Sequence, residues 1–347
     1  MTETTQTGPG GDATAPPPSA DRPSAKGRAG GANGTLRRWM QQGLAFGTLI
    51  VLLGFFSIAS DNFFTWSNIV GIMLATAVIG ILAVGTTFVI TTGGIDLSVG
   101  TGMTLSAVMT GIVAVNWGLP LTVGVIAGVL TGALMGLVNG LNVAFLKLPP
   151  FIATLAMMMV AQGLSLVISN VRPIYFSGIP AFNQIALGVT IPGVPNAVLI
   201  MFVLAVVAHL LLSKTLFGRY TVAIGSNEEA TRLSGVNTRA WKVLVYTVAG
   251  SFTGIAGVVV ASRLASAQPQ IGVGYELQAI AAVIIGGTSL LGGRGTIVGT
   301  LIGALIMGVV INGLRIMSIQ TEWQNVVLGV VIAIAVFADS LRNRRGG

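Results

Sequence analysis

Runs of about 20 apolar residues recur along this chain of 347 residues, and each is long enough to cross roughly 30 Å of hydrocarbon. They lie near residues 43–60, 69–91, 97–116, 119–141, 151–169, 196–213, 243–262, 277–291, 295–314 and 323–340. Hydrophobic residues make up 53% of the sequence and charged residues 8%, against about 25% charged in an ordinary soluble domain. Such a surface cannot be kept in water. The expected fold is an all-α polytopic membrane protein of about ten transmembrane helices, the eighth short and either tilted or broken. Its 48 glycines are about twice the usual share, which suits helices that approach closely in lipid. No G-X-Y period accompanies them, which excludes collagen.

Before Leu36 the chain has no Val, Ile, Leu, Phe, Trp or Tyr. Residues 1–36 therefore read as a disordered cytoplasmic tail, with nothing to bury against the entropy of ordering, and residues 37–347 as the transmembrane domain. With the N-terminus inside, ten spans return the C-terminus to the cytoplasm. The Lys and Arg residues then divide fifteen inside to three outside, the three being Arg172, Arg263 and Arg315. That is the positive-inside asymmetry, and it accounts for the net charge of +8 without a nucleic-acid partner. Arg37 and Arg38 before an apolar run ending Ser-Ile-Ala-Ser also fit a signal peptide cleaved near Ala59, although the tail ahead of them is long for one.

The absence of cysteine removes disulfides, thiol catalysis, iron–sulfur clusters and cysteine–zinc sites. His209, the sole histidine, reads as a packed, hydrogen-bonded helix residue, and one histidine does not make a zinc site. No metal is expected on the chain.

Only one inner connection is long and polar, residues 214–242. Ser226 and Glu229 have the spacing of a capping box, and Gly235 supplies a left-handed terminus, which predicts a helix over Asn227–Ser234. Glu228 and Glu229 lie near its positive end and Arg232 near its negative end. Ala230, Leu233 and Gly235 give it a modest apolar side. It reads either as a surface loop or as a contact for another chain. No G-x-x-x-x-G-K-[ST] phosphate loop occurs, nor any Gly-Lys pair, so ATP, if used, is bound elsewhere.

The stretches IGSNEEATRLSGVN and SAQPQIGVGYELQAIAAVIIGGTSLLGGRGTIVGTLIGALIMGVVINGL, within residues 220–315, resemble the permease subunit of the ribose-type ABC importers. TTGGIDLSVG at 91–100 and LPPFIATLAMMMVAQGL at 148–164 resemble the same family, so the likeness covers almost everything beyond the tail. The family's cytoplasmic coupling segment maps onto Glu229, Ala230 and Gly235, with Ser226, Asn227, Glu228 and Leu233 beside them. The resemblance implies a core of two permeases, identical or not, in the bacterial inner membrane. It further implies ATPase subunits carrying ATP and Mg, and an extracytoplasmic binding protein that delivers a monosaccharide. No cofactor and no catalytic residue is implied on this chain.

Candidates for translocation are the intramembrane polar groups. Asp96 and Ser98 stand in a glycine-punctuated stretch where helices are interrupted, and Asp96 either caps the third span or takes part in gating or sugar contact. Gln268 and Glu276, with Arg263, Gln270 and Tyr275, belong to an outer segment that either meets the binding protein or forms a capping loop. Thr288, Ser289, Asn139, Asn142, Gln162 and Asn312 are pathway groups or interhelical bonds. GGIDLSVGT from Gly93 and GGRGTIVGT from Gly292 share five positions, a hint of an internal repeat. A secondary transporter driven by ions is the alternative, with Asp96 as its titrating group. An intramembrane hydrolase lacks the G-x-S-x-G elbow.

Overall fold

The computed structural model describes Thr5 and residues 30–344. The chain divides into two units, Met1–Arg37, of which Thr5 and the helical residues from Gly30 are described, and Arg38–Gly347, which holds the elements that follow. The tail expected over residues 1–36 lies mostly outside the described residues. Helix α1 runs from Gly30 to Ala59, each residue added to an existing helix gaining a hydrogen bond without a new nucleus.

Among the described residues, eight helical segments are long and apolar enough to cross a membrane. They are α2 (Trp66–Thr91), α3 (Val99–Gly111, continued by a π-helical turn to Asn116), α4 (Leu121–Ala144) and α5 (Pro150–Ile168). After a short α6 (Pro180–Leu187) come α7 (Asn196–Lys214), then α8 (Leu216–Ser226) and α9 (Glu228–Leu233), neither of them a span, and α10 (Thr238–Leu264). The shorter α11 (Tyr275–Ile285) precedes the last two spans, α12 (Ile297–Ile316) and α13 (Thr321–Arg344). The other two expected spans fall on the apolar stretch Ala45–Ala59 of α1 and on α11. At 11 residues, α11 rises about 16 Å, half of a bilayer core. Ile174–Tyr175 (β1) and Ser266–Ala267 (β2) pair antiparallel.

Helices α2, α3, α10 and α12 form the buried centre, and α4, α5, α7 and α13 keep most of their surface outside it. Without a hydrophobic drive between helices in lipid, packing distance decides how they associate. On α4 glycine recurs at every fourth position, Gly124, Gly128, Gly132, Gly136 and Gly140, which aligns them on one face. Gly132, Gly136 and Gly140 lie on α10 backbone to backbone, while Gly124 and Gly128 meet Thr110 of α3. A Cβ built on Gly132 would fall onto Gly250 O and 2.5 Å from Gly254 N, and one on Gly136 would fall onto Tyr246 O. Ile126, Leu130 and Leu134 point outward instead.

Gly132→Val is expected to force α4 off α10 at a cost of about 1–3 kcal/mol, read as a lower unfolding midpoint in detergent. Gly163→Ala on α5, where nothing lies within 4 Å, is expected to leave the midpoint unchanged.

Candidate functional site

Between α7 and α10 the chain makes two short helices at one end of the bundle. Thr215 caps α8, accepting from Gly218 N. Phe217, Thr221 and Ile224 recur on one face and are buried. Phe217 meets Phe88 of α2 edge-on at 5.3 Å between centroids, and Tyr220 meets Trp241 of α10 at 5.0 Å. Asn227 then breaks the helix with an extended backbone, and its Oδ1 accepts from Ala230 N at 2.9 Å.

Asn227, not Ser226, is therefore the cap of α9. The expected capping box does not form, because the Ser226 hydroxyl belongs to α8 and donates to Val222 O at 2.9 Å. Glu229 pairs with Arg232 at 2.6 Å instead of reaching back. The helix is accordingly shorter than expected, Glu228–Leu233, with Gly235 left-handed at φ +85° after it. Glu228 accepts from Lys242 of α10 at 2.6 Å. Ala230 is exposed and Leu233 is 78% exposed, so the apolar side of α9 faces away from the bundle.

The second group of residues surrounds two non-helical linkers. The α2–α3 linker, residues 92–98, enters the bundle. Leu97 N donates to Thr154 Oγ1 of α5 at 3.2 Å, and the one proton of that hydroxyl is shared between Pro150 O at 2.9 Å and Ile95 O at 3.1 Å. Asp96, 3% exposed, accepts from Ser98 N at 2.8 Å and from the Ser98 hydroxyl at 2.6 Å, and Asn139 of α4 donates to that hydroxyl at 2.9 Å. Asp96 thus closes a turn two residues ahead of the α3 cap rather than capping the helix itself. The α3 start lies deep, since Gly102 packs against Thr253 midway along α10.

The linker before α11, residues 268–274, comes down to the same depth. Gly272 N donates to Thr104 Oγ1 of α3 at 2.9 Å. Gly100 and Gly272 touch backbone to backbone, and a Cβ on Gly100 would also fall onto Glu276 Oε2. Glu276, buried, accepts from Gly274 N at 3.1 Å. Each deep linker thus has a backbone N–H that donates to a buried carboxylate, Asp96 within the first and Glu276 just after the second.

Of the expected translocation residues, Asp96, Ser98 and Glu276 gather around the first turn of α3. Thr288 and Ser289 lie at the other end of α11, where Thr288 Oγ1 accepts from Thr296 N and Ser289 Oγ from Leu291 N. Gln268 is exposed near β2 and joins neither group. Sequence reasoning missed Thr154, Thr104, Tyr246 and Asp339. Asp339 of α13 accepts from Leu290 N at 3.3 Å, and the buried Tyr246 hydroxyl faces Gly94. A hydroxyl or carboxylate inside an apolar run was the available signal for all four. His209 is exposed on α7 rather than packed. A cavity of about 670 Å³ lined by Asn116, Asn170, Arg172 and Tyr175 holds none of the expected residues.

Thr154→Val is expected to strip Leu97 N and Ile95 O of their partner at a cost of about 1–3 kcal/mol, measurable as a lower unfolding midpoint and faster amide exchange at Leu97.

Residues 68–336 match the family described as branched-chain amino acid transport system / permease component. The Ribose import permease protein RbsC of Escherichia coli K12 is 43% identical over 308 residues, covering 88% of this chain and 95% of that protein. The protein of the same name from Bacillus subtilis 168 is 44% identical over 84% of this chain and 90% of its own. The D-allose transport system permease protein AlsC of Escherichia coli K12 is 36% identical, over 87% and 92%. No solved structure matches the chain. The spans, the missing phosphate loop and these full-length matches agree: this chain belongs to the permease components of ABC importers, the family described as branched-chain amino acid transport system / permease component.

Proposed function

We propose that this chain is the membrane-spanning permease of an ATP-driven importer for ribose or a closely similar monosaccharide. The observation that carries the reading is identity above 40% with two ribose import permeases along nearly their whole length. The allose permease is less similar at 36%, which supports ribose over a hexose. The protein resides in the bacterial inner membrane with α8 and α9 in the cytoplasm, an orientation supported by the fifteen-to-three division of Lys and Arg. A second permease, a separate ATPase that binds ATP and Mg, and an extracytoplasmic sugar-binding protein complete the assembly.

In this reading α9 receives the ATPase. Its exposed apolar residues Ala230 and Leu233 offer a surface that nothing in the bundle covers, and Ser226, Asn227, Glu228, Glu229 and Gly235 hold the helix in shape around it. Asp96, Ser98 and Glu276 set the geometry of the two linkers beside α3, so the sugar pathway changes when those linkers move. The turn made by Asp96 also supplies a structural reason for its burial that an ion-coupled mechanism does not require.

Leu233→Asp is expected to weaken ATPase attachment by about 1–2 kcal/mol and to reduce ATP-driven ribose uptake about tenfold in proteoliposomes holding the full complex. Unchanged attachment and uptake would remove α9 from the coupling role. Ribose uptake by the chain alone, driven by a proton or sodium gradient, would overturn the importer reading itself.

A further inference from the structure

We propose that Gly225, Gly93 and Gly292 form a fixed seat through which displacement of α9 reaches both the α2–α3 linker and the α11–α12 linker; this rests on the proposed coupling role of α9. Gly225 is the next-to-last residue of α8 and stands three positions before α9 begins. A Cβ on Gly225 would fall onto Thr91 O, at the end of α2, and 2.5 Å from Gly293 N. One on Gly292 would lie 2.7 Å from Gly93 N and 2.9 Å from Gly225 O. Gly293 N donates to Thr91 O at 2.9 Å, which ties the two linkers to each other. Three segments distant in sequence therefore meet with no side chain between them.

Such a contact transmits displacement because there is no rotamer to absorb it, and close-packed interiors pass strain on. The two linkers lead to different parts of the bundle. From Gly93 the chain runs through Asp96 and Ser98 into α3. The other linker reaches α11, which meets α12 at its near end through Gly286 and Gly299 and is preceded at its far end by the linker whose Gly272 meets Gly100 of α3. Gly93 and Gly292 are the first residues of the two repeat copies, and both adopt φ +81°. The repeat thus presents two equivalent handles to the end of a single helix, α8.

A seat of this kind must stay closed during transport, and it must fail if wedged open. The Gly293 N–H donates to Thr91 O inside the seat, so its exchange reports whether the contact opens. In the full complex, the Gly293 amide is expected to stay protected from hydrogen exchange with and without ATP. Gly225→Ala, which inserts a methyl group into the seat, is expected to keep the ATPase attached and hydrolysing while uptake per ATP falls about fivefold. Loss of Gly293 protection on addition of ATP would overturn the proposal, since the contact would then have to open. So would unchanged uptake per ATP in an assembled Gly225→Ala complex. If Gly225→Ala does not assemble, exchange at Gly293 alone decides the matter. Failure of the α9 reading is separate and shows in Leu233→Asp.

Discussion

Lipid offers no partner to a free backbone N–H or C=O, so chain that is not helical at membrane depth has to be satisfied by the protein around it. The fold turns on how this is done for the linkers at 92–98 and 268–274. Thr154 serves two backbone groups of the first, and Thr104 serves Gly272 of the second. Asp96 and Glu276 each accept from the backbone beside them. Because both linkers descend, α3 begins deep and α11 is a half-span. The most buried crossing segment is consequently the one that starts at this point.

The crossing helices were legible in the sequence because hydrophobic length is a direct consequence of bilayer thickness. The short eighth run correctly marked α11, since 11 residues cannot cross. What the sequence did not disclose was depth. Asp96 looked like a residue at a turn on the membrane edge, yet it is buried beneath α4 and α5, which Asn139 and Thr154 bring to it from residues 41 and 57 or more positions away. The nine-residue repeat was readable as letters. That its two first glycines touch depended on tertiary packing.

The misplaced cap has a local cause. Ser226 and Asn227 are both good N-cap residues, and the spacing to Glu229 favoured Ser226. The choice was settled upstream, because α8 extends to Ser226 and its hydroxyl is already engaged with Val222. The helical spacing of Phe217, Thr221 and Ile224 ahead of a candidate cap is therefore informative, since the preceding helix can consume the residue that seems to start the next one.

Six residues are too few to hold a helix in isolation. The exposed Glu229–Arg232 pair adds little, as such pairs contribute at most about 1 kcal/mol. What holds α9 is the anchoring of its first turn. Asn227 caps it one residue after α8 ends, while Glu228 reaches Lys242, a half-buried contact on α10. In the proposed coupling role, a load on the exposed face at Leu233 would reach the bundle through that first turn, at α8, whose end sits on the linkers, and at α10, whose glycines sit on α4.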